Sequence, residues 1–393
     1  MTDVAERLEE LRDRGLYRRL RLIEGSQGPT VTLDGRQVLL LCSNNYLGLA
    51  DRAEVREAAA DAALRWGAGS GASRLISGTM EPHRRFEQRL AGFKGFEAAL
   101  LFGAGYLANT GVIAALAGKG EVVFSDELNH ASIVDGCRLS RAETFVYRHA
   151  DLEHLAWGLR QAGGRAALIV TDGVFSMDGD VAPLPELLEL ARRHGARLMV
   201  DEAHATGAVG PGGRGSVAAA GLSGEVDVVV GTLGKALGSY GAYACADAEI
   251  VDLLVNTARP FIFSTAPPPP AIGAAEAALG LLEAEPQMVD RLQANAALLR
   301  RSLAAAGLEA GGATQVVPIH VGEAEATMAL CELALEKGVF AQGIRPPTVP
   351  EGTCRLRMTA MATHRTEDLV AAAHMVGVAA REAGLVAAEP LAA

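Results

Sequence analysis

The segment that most constrains this chain is an apolar run that stops abruptly before a lysine. Residues 228–238 read VVVGTLGKALG, so the valines are followed by glycines, Thr232 and Lys235. A continuous β-branched run predicts a strand buried on both faces, and glycines allow a tight turn or the close approach of a ligand. A lysine at such a strand end can lose hydration, which lowers the pKa of its amine and makes it a nucleophile. A surface lysine in an ordinary turn would explain this segment alone equally well.

Two further apolar runs also end in polar residues. Residues 166–170 lead into TDGVFSMDGD, which contains Ser176, and residues 196–200 lead into Asp201 and His204. Ligands of open α/β sheets bind at the carboxyl ends of the strands, so we expect these side chains to meet Lys235. Asp201 alone could be a helix N-cap. The combination favours pyridoxal phosphate (PLP), whose aldehyde bonds to a lysine and whose ring nitrogen needs a carboxylate to stay protonated.

A candidate phosphate site lies earlier in the chain. Residues 103–106 read GAGY and include Gly105 and Tyr106, and a helix-like segment follows at 107–113. A glycine turn that opens a helix presents free N–H groups and the positive end of the helix dipole to an anion. Thr232 could add its hydroxyl. A plain turn between a strand and a helix explains the glycines equally well.

Composition excludes several classes of protein. The chain has 393 residues, 49% of them hydrophobic, and a net charge of −11, with no basic cluster long enough to indicate nucleic-acid binding. Anionic substrates would therefore need local arginines. The 5 cysteines are widely spaced without a CxxC pair, which argues against disulfides or a metal site and for a reducing compartment. Because no segment resembles a signal peptide or a membrane span, we expect a cytoplasmic enzyme that binds no membrane.

The order of apolar patterns predicts the domain organisation. Strands alternate with helices over residues 47–282, which predicts a large α/β domain with a mainly parallel sheet. Residues 1–46 predict a helix through about residue 22, then a hairpin over 30–42 that turns at Asp34 and Gly35. Residues 283–393 predict a smaller α+β domain with strands at 315–320 and 354–359 and a closing helix at 366–383.

With these residues in place, the sequence resembles the α-oxoamine synthase family of fold-type I PLP enzymes. The resemblance runs from Arg18 to the C-terminal helix. It is carried by SNNYLGL at 43–49, GSG at 69–71, SDELNHAS at 125–132, GVFSMDGD at 173–180, DEAH at 201–204 and GTLGK at 231–235. Asn45 is a departure, because relatives often have aspartate at this position.

The resemblance implies a role for each candidate site residue. Lys235 would bind PLP covalently and, once freed, take the Cα proton of the amino acid; Asp201 would pair with the ring nitrogen; and His130 would stack on the ring. The other implied cofactor contacts are Gly105, Tyr106, Ser176, His204 and Thr232, and the implied substrate contacts are Arg18, Asn44, His130, Thr348 and Arg357.

Simpler roles stay open for several of these residues. His130 could be a capping or core histidine, and Ser176 could only order its loop. Arg357 could form a salt bridge on a strand. Arg19 or Arg21 could replace Arg18 if the register is shifted.

One segment narrows the resemblance to a branch of the family. Residues 345–350 read RPPTVP and are followed by Arg355 and Arg357. They most resemble the branch that condenses L-alanine with a pimeloyl thioester of CoA or of a carrier protein, with loss of CO2, in biotin biosynthesis. The resemblance implies a homodimer. The alternatives are another α-oxoamine synthase, such as a glycine C-acetyltransferase, an aminotransferase of another PLP class, and a non-catalytic relative.

Overall fold

The predicted alternation of strands and helices is present in the structure, a computed structural model that describes residues 3–386. In this part of the chain the strands are β1 Ile23–Glu24, β2 Thr30–Leu33, β3 Arg36–Leu40, β4 Ala98–Phe102, β5 Val122–Asp126, β6 Glu143–Tyr147, β7 Ala166–Asp172, β8 Arg197–Asp201, β9 Val228–Thr232, β10 Ala242–Ala246, β11 Val316–Gly322, β12 Val339–Phe340, β13 Gln342–Ile344 and β14 Cys354–Thr359. The helices are α1 Val4–Asp13, α2 Ala53–Trp66, α3 Glu81–Lys94, α4 Gly105–Leu116, α5 Ala131–Ser140, α6 Leu152–Ala162, α7 Leu184–His194, α8 Ser216–Ala219, α9 Ala248–Thr257, α10 Arg259–Ile262, α11 Pro269–Ala284, α12 Gln287–Ala305, α13 Ala324–Glu336 and α14 Thr366–Glu382.

A seven-stranded sheet forms the centre of the larger part of the chain. Its order is β4-β10-β9-β8-β7-β5-β6, and the strands from β9 to β6 are parallel, whereas β10 is antiparallel to both of its neighbours. Consecutive residues of β7 face opposite sides of the sheet and belong to two separate hydrophobic cores. Leu168 lies in the core that contains Val112 of α4, and Ile169 lies in the core that contains Leu187 of α7. Burial on both faces explains why these strands are continuous apolar runs.

The chain divides into two compact units. The larger comprises Leu49–Ser176 and Asp180–Asp290, and the smaller comprises Met1–Gly48, Met177–Gly179 and Arg291–Ala393. The smaller unit contains an antiparallel sheet, β11-β14-β13, and a second sheet, β1-β2-β3-β12, in which β12 runs parallel to β3. The division into residues 1–46, 47–282 and 283–393 stays a prediction.

The N-terminal helix is shorter than the sequence predicts. It ends at Asp13, and Gly15 follows with φ of 63°, a left-handed conformation that ends helices. None of the α1 side chains is buried, so no packing extends the helix beyond this glycine. The hairpin is confirmed: β2 and β3 pair, and Asp34 and Gly35 both have positive φ, as a two-residue turn requires.

Two findings concern the helices and the cysteines of the described chain. Along residues 3–386, no helix is both long and apolar enough to cross a bilayer. The cysteines, at positions 42, 137, 245, 331 and 354, are all free thiols.

A buried ion pair stabilises the turn that follows β8. Lys94 at the end of α3 donates to a carboxylate oxygen of Glu202 and to Thr206 Oγ1, the latter at 3.2 Å. The side chain of Lys94 is 1% exposed and that of Glu202 is 0% exposed. The second Glu202 oxygen accepts hydrogen bonds from Ser216 Oγ at 3.0 Å and the N–H of Val217 at 2.7 Å. The pair is therefore fully enclosed and hydrogen-bonded.

Replacing Glu202 with glutamine is expected to destabilise the protein by about 3–5 kcal/mol, because the Lys94 ammonium would stay buried without a countercharge. Urea denaturation of the cofactor-free protein measures this loss. Glu189→Gln is the matched control, since Glu189 pairs with Arg193 on the exposed surface of α7 and such pairs contribute only about 0–1 kcal/mol. Equal effects of the two substitutions would contradict the prediction.

Candidate active site

The carboxyl ends of neighbouring parallel strands place four polar residues along one sheet edge. Asp126, Asp172, Asp201 and Thr232 are the last residues of β5, β7, β8 and β9. Asp172 and Asp201 lie directly opposite each other in the register of β7 and β8. In open α/β sheets this edge is the usual ligand site, and it is where the sequence predicted a cofactor.

The lysine that follows β9 contacts a histidine from the loop after β8. Lys235 Nζ lies 2.8 Å from His204 Nε2. Burial lowers the pKa of His130, and the charge of Lys235 acts in the same direction. Burial raises the pKa of Asp172, and the charge of Lys235 partly opposes this increase. These side chains, predicted from separate segments, therefore lie in one electrostatic environment within the larger unit.

A chain of hydrogen bonds joins Asp201 to His130. Asp201 Oδ2 accepts from Asn109 Nδ2 at 2.6 Å, the same Nδ2 lies 2.9 Å from Ser132 Oγ, and Ser132 Oγ lies 2.7 Å from His130 Nδ1. The other Asp201 oxygen accepts from the N–H of Ala203 at 2.8 Å. The Asp201 carboxylate is thus held in a fixed orientation.

Asn109 was missed by the sequence reasoning. It lies in the middle of α4, whose sequence GYLANTGVIAAL is otherwise mostly apolar or small, and it is 1% exposed. A buried amide in such a helix needs a polar partner, and this was the signal that could have found it.

Burial shifts the pKa values of His130 and Asp172. Burial lowers the pKa of His130, and the charge of Asp201 opposes this shift, so the imidazole is neutral at neutral pH. Burial and then the charge of Asp201 raise the pKa of Asp172 well above its usual value. Asp172 Oδ2 accepts a hydrogen bond from the N–H of His130 at 3.1 Å, which fixes the start of α5.

The predicted phosphate residues lie at a helix start and in a turn. Gly105 is the first residue of α4, where backbone N–H groups lack partners within the helix. Tyr106 is half exposed, and its hydroxyl donates to Asp135. Thr232 Oγ1 donates to the carbonyl of Gly241 at 3.1 Å and accepts from the N–H of Gly234 at 3.1 Å, which orders the turn that carries Lys235.

Apart from His130, which lies in the larger unit, the predicted substrate residues belong to the smaller unit, where they form two groups. Arg357 on β14 is buried, and its Nη2 lies 3.4 Å from Asn44 Oδ1, which also accepts from the hydroxyl of Tyr46 at 3.0 Å. Arg18 and Thr348 line a cavity of about 690 Å³.

Arginines dominate the polar lining of this cavity. The residues that line it include Arg18, Arg19, Arg21 and Arg345. Asp34 and Glu332 also line it, and both pair with Arg21, which leaves the charges of the other three arginines for an anion. Arg18 Nη2 donates to the carbonyl of Pro346 at 3.2 Å, and Arg345 Nη2 donates to the carbonyl of Tyr17 at 2.6 Å. These two bonds connect the N-terminal segment to the 345–350 loop, and the cavity beside them is suited to an anion.

The residues of the larger unit fit PLP by their chemistry. An amine (Lys235), a buried carboxylate already fixed by two donors (Asp201) and a neutral imidazole (His130) match the aldehyde, the ring nitrogen and the ring face of the cofactor. The start of α4 offers N–H groups to a phosphate.

Comparisons with known proteins agree with this chemistry. A family model described as aminotransferase class I and II matches residues 36–376. An 8-amino-7-oxononanoate synthase from Citrifermentans bemidjiense is 54% identical over 390 residues, which cover 98% of this chain and 100% of the relative.

Two solved structures extend the comparison to the fold. A lysine-to-alanine variant of serine palmitoyltransferase from S. paucimobilis, with a bound PLP–myriocin aldimine, is 33% identical with a TM-score of 0.92, and 98% of each chain is covered. An 8-amino-7-oxononanoate synthase from Francisella tularensis is 27% identical with a TM-score of 0.76, covering 88% of this chain and 98% of the other.

These findings confirm the fold-type I architecture, the PLP cofactor and the predicted family branch, and they favour that branch over the alternatives. The roles of individual residues stay predictions. Since the match to the named relatives extends over nearly the whole length, this chain belongs to the class I and II aminotransferase family and, within it, to the PLP-dependent acyltransferases of the 8-amino-7-oxononanoate synthase group.

Proposed function

We propose that this protein joins L-alanine to a pimeloyl thioester and releases CO2 and the free thiol, which forms 8-amino-7-oxononanoate for biotin biosynthesis. The proposal rests on the 54% identity of this chain to an 8-amino-7-oxononanoate synthase. The structure supports it because Lys235, whose Nζ lies 2.8 Å from His204 Nε2, provides an amine at the predicted cofactor site.

Lys235, Asp201 and His130 are the proposed catalytic residues. When bound, PLP draws electrons from the α-carbon of the amino acid. The Lys235 amine takes the Cα proton, and the Asp201 carboxylate holds the proton of the ring nitrogen. The neutral imidazole of His130 can pack against an aromatic face without burying a charge, which supports its proposed place on the ring.

The remaining cofactor contacts are proposed for the phosphate and the ring hydroxyl. The backbone at Gly105 and Tyr106 and the hydroxyl of Thr232 would bind the phosphate, supported by the helix start at Gly105. Ser176 and His204, both largely buried, would bind the ring hydroxyl. The backbone N–H groups can donate to the phosphate, and the hydroxyls of Thr232 and Ser176 can donate or accept a hydrogen bond.

Arg357 is the proposed binding group for the carboxylate of alanine, with Asn44 beside it. A guanidinium can bind a carboxylate through two parallel hydrogen bonds. Support comes from the burial of Arg357, which is 6% exposed, because a buried guanidinium interacts strongly with an anion that displaces water.

Arg18 is the proposed partner of the distal carboxylate of the pimeloyl chain, and Thr348 is a second contact. Both line the arginine-rich cavity of the smaller unit. A dicarboxylate-derived acyl chain has an anionic end that this cavity can bind, whereas an acetyl or palmitoyl chain has none. The cavity therefore supports a pimeloyl donor over those two chains. It does not distinguish the thioester of CoA from that of a carrier protein.

We further infer a homodimer in the cytoplasm. The larger unit exposes the apolar side chains of Ile76 (80%), Phe263 (70%) and Tyr240 (57%), and contact with a partner subunit would remove such side chains from water. The free thiols support a reducing compartment.

A substrate panel tests the proposal. We expect the highest kcat/KM with L-alanine and a pimeloyl thioester, compared with succinyl, acetyl and palmitoyl thioesters as both CoA and carrier-protein forms. Replacing Arg18 with alanine should lower kcat/KM for pimeloyl by roughly 10-fold or more, the effect of losing a hydrogen bond to a charged group of about 1.5–3 kcal/mol, and leave acetyl unaffected. Product mass spectrometry measures each condensation.

The control for Arg18 is Arg7→Ala on the exposed helix α1, which should change neither donor. Activity with glycine would not decide the matter, because one methyl group gives only about 1–3 kcal/mol of discrimination. Preference for a donor other than pimeloyl would overturn the proposed substrate.

A further inference from the structure

His149 lies between two carboxylates of the larger unit, one at the end of β5 and the other in the loop that follows β7. Its Nδ1 is 3.0 Å from Asp126 Oδ1, and its Nε2 is 2.7 Å from Asp180 Oδ2. Ionised carboxylates only accept hydrogen bonds, so both ring nitrogens must donate, and the ring is an imidazolium. The hydrogen bonds to Asp126 and then Asp180 raise the pKa of His149 to about 10 against the effect of burial.

Asp126 organises the loop that leads to His130. It ends β5, and besides binding His149 it accepts hydrogen bonds from the N–H groups of Leu128 and Ala150, each at 2.9 Å. The Asp126 side chain is 2% exposed. Any movement of this carboxylate would therefore shift the backbone that places His130 at the start of α5.

Asp180 closes the loop that carries Ser176. Its carbonyl accepts from the N–H of Phe175 at 3.0 Å. The Phe175 ring is 1% exposed and meets the edge of the His149 ring, with centroids 4.5 Å apart and an interplanar angle of 84°. His149 thus contacts this loop twice, through a charged hydrogen bond and through the aromatic residue directly before Ser176.

We propose that the charged His149 is a positioning residue, which ties the loop of His130 to the loop of Ser176 and thereby fixes two contacts of the cofactor. The inference rests on the proposed function, in which both loops contact PLP. His149 itself touches neither the reacting atoms nor the residues proposed to bind substrate.

The other charged groups near His149 do not oppose its protonated state. Glu127 accepts the backbone N–H of His149 at 2.8 Å, so a third carboxylate contacts this residue. The nearest cation along the chain, Arg148, pairs with Asp151 at 2.6 Å. The phenol of Tyr147 is uncharged, since burial raises its pKa. The ring therefore keeps its charge in the folded protein until the pH approaches about 10.

The pH dependence has a definite sign. The folded pKa of His149 lies above the unfolded value of about 6.5, so its contribution to the free energy of unfolding is complete below pH 6.5 and is lost as the pH rises to about 10. Substitution of His149 should therefore lower the free energy of unfolding most below about pH 6.5 and least above about pH 10.

The test compares His149→Gln, Asp180→Asn and the double variant with the wild-type enzyme. At pH 7.5 we expect the dissociation constant of PLP to rise about 10-fold in each single variant, equivalent to one pKa unit of lost interaction. The double variant should bind PLP no more weakly than His149→Gln, because both changes disrupt the same hydrogen bond between His149 and Asp180. The difference from wild type should shrink above pH 10.

His154→Gln is the matched control. The ring of His154 accepts a hydrogen bond from the backbone N–H of Arg148 at 3.0 Å and packs against Phe145. It is therefore close to His149 in the chain but does not connect the two loops. This variant should keep the wild-type affinity for PLP. In parallel, NMR titration of the wild-type ring should give His149 a pKa well above 6.5.

Each outcome decides one proposal. If wild type binds PLP and both single variants bind it equally well, the positioning role is wrong, even if their unfolding temperatures fall. A wild-type ring pKa near 6.5 also overturns it. Should His149→Gln not fold, Asp180→Asn carries the test, since it changes a half-exposed carboxylate. Failure of the wild-type enzyme to bind PLP would instead overturn the proposed function.

Discussion

Replacing Lys235 with alanine is expected to lower kcat by at least roughly 10²–10⁴-fold, the loss from removing a general base alone, with a further loss because no covalent link to PLP forms. Lys235 Nζ lies beside His204 Nε2, and alanine leaves no proton acceptor at that position. Folding should be preserved, because Lys235 lies partly exposed in the turn after β9.

The site of the covalent link can be measured directly. Borohydride reduction of the wild-type enzyme with PLP, followed by peptide mapping, should place the label on Lys235. Lys119→Ala, which removes an exposed lysine, should retain both label and activity. A label on any other lysine would show that the assignment of Lys235 is wrong.

Replacing Asp201 with asparagine is expected to slow exchange of the alanine Cα proton by roughly 10²–10³-fold, the size of effect seen when one electrostatic group is removed from an active site. An amide cannot hold a proton on the ring nitrogen. The structure adds a second cost, because Asp201 accepts hydrogen bonds from both Asn109 Nδ2 and the N–H of Ala203. Asparagine can accept only one of them.

Deuterium exchange into alanine, followed by NMR, measures this step without the acyl donor. The swapped variant Asn109→Asp with Asp201→Asn restores a donor–acceptor pair but moves the charge, so it should recover stability without recovering exchange. Asp227→Asn is the control, because Asp227 binds the N–H of Leu198 near the opposite end of β8. Near-normal exchange in Asp201→Asn would contradict the role of Asp201.

Local sequence patterns were sufficient to predict several elements of the fold. The closing helix predicted over 366–383 is present as α14, Thr366–Glu382, and the strands at 166–170 and 196–200 are present as β7 and β8. These elements are specified by periodicity and by nearby glycines, which act over a few residues. The N-terminal helix was predicted too long, because Gly15 ends it and no core packs against it.

Contacts between distant segments could not be predicted in this way. Asn109 and Asp201 are 92 residues apart in the chain, Lys94 and Glu202 are 108 apart, and His149 and Asp180 are 31 apart. None of these residues indicates its partner in the sequence, since a histidine in a loop or a lysine at a helix end is common on protein surfaces. Their pairing depends on which strands become neighbours in the sheet.

The sequence by itself determined the family, the cofactor and the chemical types at the strand ends, because those depend on residue identity and short spacing. Only the tertiary structure decided how these groups are protonated and held. The β5-β7-β8-β9 order brings Asp126, Asp172, Asp201 and Thr232 to one edge. Burial there makes His130 neutral, while two carboxylates keep His149 charged. Desolvation and hydrogen bonding, which set a protonation state, exist only once the chain is folded.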